Sequence, residues 1–432
     1  MAQTMTPFVR ALFRTGATLL LCAATDGSAV SDSAPRIAAH ETITDASLKP
    51  DASWNAVFDR REGWTGADVA GTVALGDGRM LWLFGDTWIG SIDGGRRVPG
   101  VQLVNNSIAV HSIDRAAPWK APDPRSVHFY WGAKIADGRP TAWVVPSSET
   151  TSRESTRESR EWLWPTGGGL TVEGPGKSRR LYLFFFRVRN NPRSTGVWGF
   201  SVVGTALAVV ENAAEAVDRW KMRLLNMPHS VQAIKSAGRS ADAEITWGMT
   251  ACLDPDGGDR KSPAALIYGV RKTGLGTNTL VLARALAATI DRFNAWTFYA
   301  GKNSWAHAPS ASAPLAQGLV SEFSVERLEN EGRTNWVLVQ SEPFLGKRIL
   351  LRTAPQPQGP WSAAKSVATV PDLERNRSYF TYAAKGHAAL ARPGELLVTY
   401  LVNSNQFSDL MTNTQIYRPR FLRLSAACLS SR

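Results

Sequence analysis

Cysteine is scarce. The 432 residues hold three, Cys22, Cys252 and Cys428, which excludes a disulfide-stapled scaffold. At most one bridge, Cys252 to Cys428, would survive removal of an N-terminal leader, and spacing alone does not show that the two meet. Long apolar runs are missing as well: no stretch approaches the ~20 residues of a membrane span. Charged residues make up 20% of the chain, too few for a disordered polyelectrolyte. Several catalytic signatures are also absent. There is no Walker-type glycine loop and no dinucleotide fingerprint after a strand. His-x-x-x-His and paired Cys-x-x-Cys spacings are lacking, and so is a Gly-x-Ser-x-Gly elbow. These gaps argue against nucleotide-driven chemistry, zinc hydrolysis and esterase chemistry. No metal site and no cofactor are expected. Oxygen ligands are plentiful enough for a central cation, although no run of ligands specifies one.

What is present is a chain 44% hydrophobic, enough for one large domain or two ordinary ones. Sixteen Trp and sixteen Phe stand against eight Tyr. Trp at that density is costly to hide completely, so part of it is expected to line a groove. Forty-nine basic residues exceed 37 acidic ones, a formal charge of +12, which favours an anionic surface or polymer as partner. Nucleic acid is not expected, because the basic residues are scattered and no helix-turn-helix or zinc finger is found.

The first 29 residues have the order of an export signal: Arg10 and Arg14, an apolar run from Thr15 to Ala24, then small residues with cleavage sites after Ala24 or Ala29. Leu21 before Cys22 does not suit lipoprotein processing. The chain is therefore expected to be secreted or periplasmic. Residues 30–53 read as a linker and 54–425 as one domain, expected to act as a monomer.

Within that domain helical periodicity is rare. Short apolar runs recur between Gly, Pro, Asp and Asn clusters, the signature of strands and turns. Examples are Thr72–Leu75, Met80–Phe84, Ser107–His111, Arg180–Arg187, Ala264–Val270, Thr279–Ala283, Trp336–Gln340, Arg348–Arg352 and Leu396–Leu401. Val209–Lys221 is the one helix-like stretch. Ser147–Glu161, with alternating Arg and Glu, reads as a solvated surface loop. Strand clusters recur roughly every seventy residues, without a strict repeat, which suits about five four-stranded units. Radial repetition is one way to protect sheet edges, so the expected fold is all-β, a five-bladed β-propeller. A large sandwich or a β-solenoid is the alternative.

The segment richest in chemistry runs from Trp64 to Trp88. Apolar strands flank Gly76-Asp77-Gly78, and a three-residue loop with Gly in the left-handed position joins such strands well. Pairing then sets Asp68 opposite Asp86, with Cβ atoms roughly 4.5–5.5 Å apart. A two-residue turn would instead put Val69 opposite Asp86. Either way both carboxylates reach the same hairpin end, where mutual repulsion raises one pKa. Such a pair can divide into proton donor and base, as glycoside hydrolysis requires. The plainer alternative is that one Asp caps a turn and the other binds backbone amides. Glu322, in Val320-Ser321-Glu322-Phe323-Ser324-Val325, interrupts a strand pattern. It either reaches an inner channel as a general acid or faces solvent, as Glu326 is expected to do. Asn105-Asn106-Ser107 could hydrogen-bond sugar hydroxyls or close a turn. Trp162, Trp164 and Trp247 could stack on sugar faces or pack in the core. His387 is either a site residue or a satisfied structural one.

Gly66-Ala67-Asp68, Leu81-Trp82-Leu83-Phe84-Gly85-Asp86-Thr87-Trp88 and Asn106-Ser107-Ile108 closely resemble a bacterial secreted domain of formerly unknown function. Some members of that domain are endo-D-arabinanases, a glycoside hydrolase family 183-like group. The resemblance continues through Trp162–Pro165, Trp247-Gly248, Tyr268-Gly269, Ser321–Val325 and Tyr379–His387, and so spans roughly Trp54 to Leu424. It implies a five-bladed propeller with a carboxylate-lined central pocket, and glycoside hydrolysis with Asp68 and Asp86 as essential acids. Related five-bladed glycosidases add a Glu from another blade, which Glu322 matches.

The function expected is thus hydrolysis of a furanose-containing, arabinan-like or other cell-surface polysaccharide. Asp68 and Asp86 would be general base and partner, in either order. Glu322 would donate a proton, and Asn106, Trp164, Trp247 and His387 would contact substrate. Asp68 with Glu322 across a channel is the pair suited to direct attack by water, which needs carboxyls about 6.5–9.5 Å apart. A carbohydrate-binding propeller without catalysis, or a protein-interaction propeller, are the rivals.

Overall fold

The computed structural model describes residues 48–134, 138–146, 161–191, 199–230, 244–259, 262–272, 278–330 and 333–425. Residues 1–29, read as an export signal, Ser147–Arg160 and Cys428 lie outside them. The chain is all-β. Among the described residues the α-helices are two of six residues each, Ala52–Val57 and Phe407–Thr412.

Five antiparallel sheets follow one another along the sequence. The first contains Gly71–Ala74, Arg79–Phe84, Ser107–Ser112 and His128–Tyr130. The second contains Glu161–Glu173, Arg179–Asn190, Phe200–Val210 and Met222–Asn226. The third is built on Ile245–Asp259, Ser262–Lys272 and Asn278–Leu286 and carries three shorter strands. The fourth contains Phe323–Asn330, Arg333–Ser341, Arg348–Ala354 and Lys365–Thr369. The fifth contains Tyr379–His387, Glu395–Ser404 and Arg420–Ser425, and Leu48–Pro50 from the start of the domain adds its outermost strand. An additional sheet, Glu62–Ala67 with Thr87–Asp93 and two short strands, is inserted around the first hairpin.

The continuous apolar runs follow from burial on both faces. In the second sheet Leu181, Leu183 and Phe185 point into the layer shared with the first sheet, and Tyr182 and Phe184 into the layer shared with the third. Side chains alternate along a strand, so one strand feeds two cores. The same holds for Met80, Trp82 and Phe84 against Leu81 and Leu83. Of the five apolar layers, four lie between successive sheets. The fifth joins last to first through Trp54, Trp82, Phe84, Leu397 and Phe421. First strands of neighbouring sheets touch backbone to backbone: a Cβ on Gly71 would stand 2.6 Å from Gly167 Cα, and one on Gly168 would strike Gly248 O. His387 closes last to first by hydrogen-bonding Thr72 at 2.7 Å.

Two local expectations change. Val209–Lys221 does not form a helix: Val209 and Val210 finish a strand, paired with Arg223 and Met222, and only a 3-10 turn, Val217–Arg219, follows. β-Branched residues in a ladder outweigh the helical spacing there. The stretch read as linker already holds structure from Leu48. Asp51 caps the helix Ala52–Val57 through Trp54 N–H at 3.0 Å and accepts Arg423 Nε at 2.6 Å.

Candidate active site

The hairpin has the register of its three-residue loop. Gly71 pairs with Leu83, Thr72 with Trp82, Val73 with Leu81 and Ala74 with Met80. Leu75 N–H donates to Arg79 O at 2.9 Å, and Gly78 adopts a φ of +93°. The same register runs on into the inserted sheet, where Ala67 opposes Thr87. Between the two sheets Asp68 N–H donates to Asp86 O at 3.4 Å and Gly85 N–H donates to Asp68 O at 3.2 Å. Val69 and Ala70 then turn with φ of +70° and +50° into the first sheet. Gly85 is required here, because a Cβ would collide with Asp68 Oδ1.

Asp68 and Asp86 are both half-buried. Asp68 Oδ2 accepts two phenol hydrogens, from Tyr382 at 3.0 Å and Tyr417 at 3.1 Å. Asp86 Oδ1 accepts Trp164 Nε1–H at 2.6 Å and Asn105 Nδ2–H at 3.2 Å. Burial, then the charges of Asp86 and Glu322, push the Asp68 pKa well above the carboxylate range, against the two phenols that lower it. Burial pushes Asp86 up to about 6, held back by the Trp164 and Asn105 donors. Burial and the charges beside them thus disfavour ionising both carboxylates at once, Asp68 the more so because Asp86 and Glu322 both raise it.

Glu322 stands just ahead of the strand Phe323–Asn330 and is half-buried, not fully turned to water. Its Oε2 accepts Lys385 Nζ at 3.2 Å, and that ammonium is 2% exposed. Burial lowers the Lys385 pKa, while Glu322 and Asp68 raise it. Three carboxylates and one lysine thus share a single electrostatic neighbourhood, supplied by three different sheets. A Cβ on Gly167 would stand 2.6 Å from Lys385 Cε, so glycine at 167 leaves the lysine its path.

The other expected contacts divide. Trp164 reaches the site, not by a free sugar face alone but by its N–H on Asp86, with its ring 4.7 Å from that of Phe200. Asn106 does not reach it: its amide donates to Val144 O and Leu163 O at 2.8 and 2.9 Å, and its carbonyl accepts Val144 N–H. It clamps two chain segments, and Asn105 is the amide at the carboxylates. Trp247 is 0% exposed and packs on Phe298 at 5.0 Å, so it is core. His387 is buried, bonded to Thr72 and to Thr399 at 2.8 Å. Burial, then Lys385, holds it down to about 3, so it is a neutral structural ring. Glu326, expected in solvent, is half-buried, accepts Ala388 N–H at 3.4 Å and is pushed by burial up to about 8.

Tyr382, Lys385 and Tyr417 were not singled out by sequence. Tyr382 and Lys385 lie in the segment that ends at His387, where a register shift between Tyr382 and Lys385 and a φ of +54° at Ala383 redirect both side chains. Tyr417 itself sits at φ +61°, a conformation unfavourable for a bulky side chain. Nothing in its sequence surroundings signals either the backbone or the bond. Among the described residues no group of three metal-ligating side chains is found.

Residues 51–426 match the family described as "Domain of unknown function (DUF5005)". No curated protein is significantly similar to the chain. Among solved structures, a candidate hydrolase of Bacteroides ovatus shares the fold at a TM-score of 0.61 with 20% identity, over 87% of this chain and 89% of that one. Weaker likenesses include an exo-β-1,3-galactanase of Phanerochaete chrysosporium, with 9% identity, 84% of this chain, 62% of that chain and a TM-score of 0.41. The catalytic domain of a family 62 α-L-arabinofuranosidase of Coprinopsis cinerea has 11% identity, 85% and 92% coverage and a TM-score of 0.38.

Proposed function

The chain belongs to the DUF5005 family, and we propose that it is an exported glycoside hydrolase on a five-bladed β-propeller, acting on a furanose-containing or other cell-surface polysaccharide. The propeller reading is supported by the order of five sheets, the five apolar layers that return from last to first, and the N-terminal strand that completes the fifth sheet. Such radial repetition leaves only short, protected edges. Export rests on the leader-like residues 1–29.

The observation that carries the catalytic reading is the pairing of Asp68 and Asp86 at one hairpin end, each carboxylate held by its own donors, Tyr382 and Tyr417 on one and Trp164 and Asn105 on the other. Sinking two carboxylates side by side costs stability through repulsion and desolvation, more than hydrogen-bond acceptors for sugar hydroxyls alone would require. Glycoside hydrolysis uses such a pair: one carboxylic acid protonates the leaving oxygen, and an ionised partner faces the oxocarbenium-like transition state. Asp68, whose pKa is raised well above the carboxylate range, takes the donor role in this reading. Asp86, ionised above about pH 6, is the charged partner. We give the donor role to Asp68 rather than to Glu322, whose Oε2 is paired with Lys385. The Glu322 charge instead helps keep the proton on Asp68. As the glycosidic C–O bond breaks, the Asp68 proton passes to the departing oxygen; water finally supplies the hydroxyl on the anomeric carbon and restores the proton.

The test is product release from a panel of polysaccharides, D-arabinan included, by the wild-type chain and by Asp86→Asn. Release by the wild type that falls at least ~10³-fold in the variant is expected from loss of the charged partner. Binding without release in both proteins would move the function to a lectin-like one.

A further inference from the structure

At the outer edge of the first sheet, separate from the carboxylates, Arg60, Glu62–Trp64, Arg125 and Val127–Trp131 border an open cleft of about 350 Å³. Phe129, in the edge strand His128–Tyr130, and Trp131, just past its end, both line the cleft. Phe129 is fixed there by Trp64, 4.8 Å away centroid to centroid. Trp131 remains half-buried, and Gly63, with φ +70°, leaves room for its ring, since a Cβ would stand 3.3 Å from it. The Arg60 guanidinium lies 5.3 Å from the Phe129 centroid and gives one N–H to Pro124 O at 2.7 Å. It is thus held in place with most of its five donors uncommitted among the described residues. Arg125, exposed and 3.0 Å from Asp123, stands at the rim, and Glu62 is the one carboxylate in the lining.

An aromatic platform beside a fixed guanidinium fork matches a sugar ring that bears a carboxylate: the ring stacks, and the fork takes the acid in bidentate fashion. We propose that this cleft is a second carbohydrate site, which holds an anionic segment of the polysaccharide. It rests on the polysaccharide reading of the carboxylate site but not on catalysis there. Gly63 and Asp68 are five residues apart in the chain, at most ~18 Å, so a single polymer chain can occupy both. The net charge of +12 assists its approach.

The test is retention of the full chain in native gels cast with polygalacturonate or with uncharged arabinan, for wild type, Trp131→Ala, Arg60→Gln and the charge-matched control Arg292→Gln, with melting temperatures to verify folding. Polygalacturonate should retard the wild type and the control equally. Affinity should fall about tenfold in each cleft variant, from loss of stacking or of the fork. Cleavage of short oligosaccharides should be unchanged in all. Equal weakening by Arg292→Gln, undiminished binding by a folded Trp131→Ala and Arg60→Gln, or stronger retention by arabinan would each overturn the proposal. A wild type that binds polygalacturonate through the cleft but hydrolyses nothing would remove the catalytic reading and leave this one standing.

Discussion

At the scale of single residues, the site works by setting donors against burial. Tyr382 and Tyr417 each lower the Asp68 pKa, and removing either hydroxyl raises it further. Tyr382→Phe and Tyr417→Phe should therefore move the alkaline limb of the kcat/KM profile, where Asp68 loses its proton, to higher pH. The acid limb near 6 should stay in place. Trp164→Phe or Asn105→Ala should move the other limb in the same direction: Asp86 loses a donor, its pKa climbs above about 6, and the acid limb follows it. A single pH profile of each variant checks these signs. Gly85→Ala pushes a methyl into Asp68 Oδ1; a shift of about 1 Å at a reacting group costs ~10²-fold in rate, with little change in KM. Asp68 and Asp86 were legible in sequence because they bracket a hairpin whose turn residues fix the register. Tyr417 was not: only the folded path of the chain brings its hydroxyl to a carboxylate 349 positions away.

At the scale of elements, legibility follows burial. Strands flanked by sheets on both sides read as unbroken apolar runs, and those are the ones the pattern located. Asn106 and Trp247 misled because a motif shows that a residue is constrained, not whether a ligand or the backbone constrains it. The start of the domain was missed for a related reason: Leu48–Pro50 is short, and its partner, Arg420–Ser425, lies at the other end of the chain. That strand also has a measurable role. A chain beginning at Ala52 loses the pairing of Leu48–Pro50, the Asp51 cap on Trp54 and the Asp51–Arg423 ion pair. It exposes the edge of Arg420–Ser425, and a cap alone contributes about 1 kcal/mol. Its melting temperature should fall by at least ~2 °C relative to a chain beginning at Leu48, with aggregation through the bared edge.

At the scale of the whole molecule, each apolar layer is shared by two sheets, and the three carboxylates lie where first strands converge. The same burial that tunes the site makes stability depend on pH. Glu326 is held neutral by burial, its pKa raised to about 8. A raised carboxyl pKa gives stability that is full below the unfolded value near 4.3 and is lost as pH rises through the folded one. Glu326→Gln, which keeps an acceptor for Ala388 N–H, should match the wild type in urea unfolding at pH 4. It should become progressively more stable than the wild type up to pH 8. A constant difference across that range would contradict the assignment. The division of labour between Asp68 and Asp86 is the centre of the functional reading. The measurement that tests it most directly is the kcat/KM profile from pH 4 to 9 on the best polysaccharide, for wild type and Trp164→Phe. The expected result is a bell whose acid limb lies near 6 and moves upward in the variant. A wild-type rate that is flat through pH 6, or an acid limb that Trp164→Phe leaves in place, would contradict it.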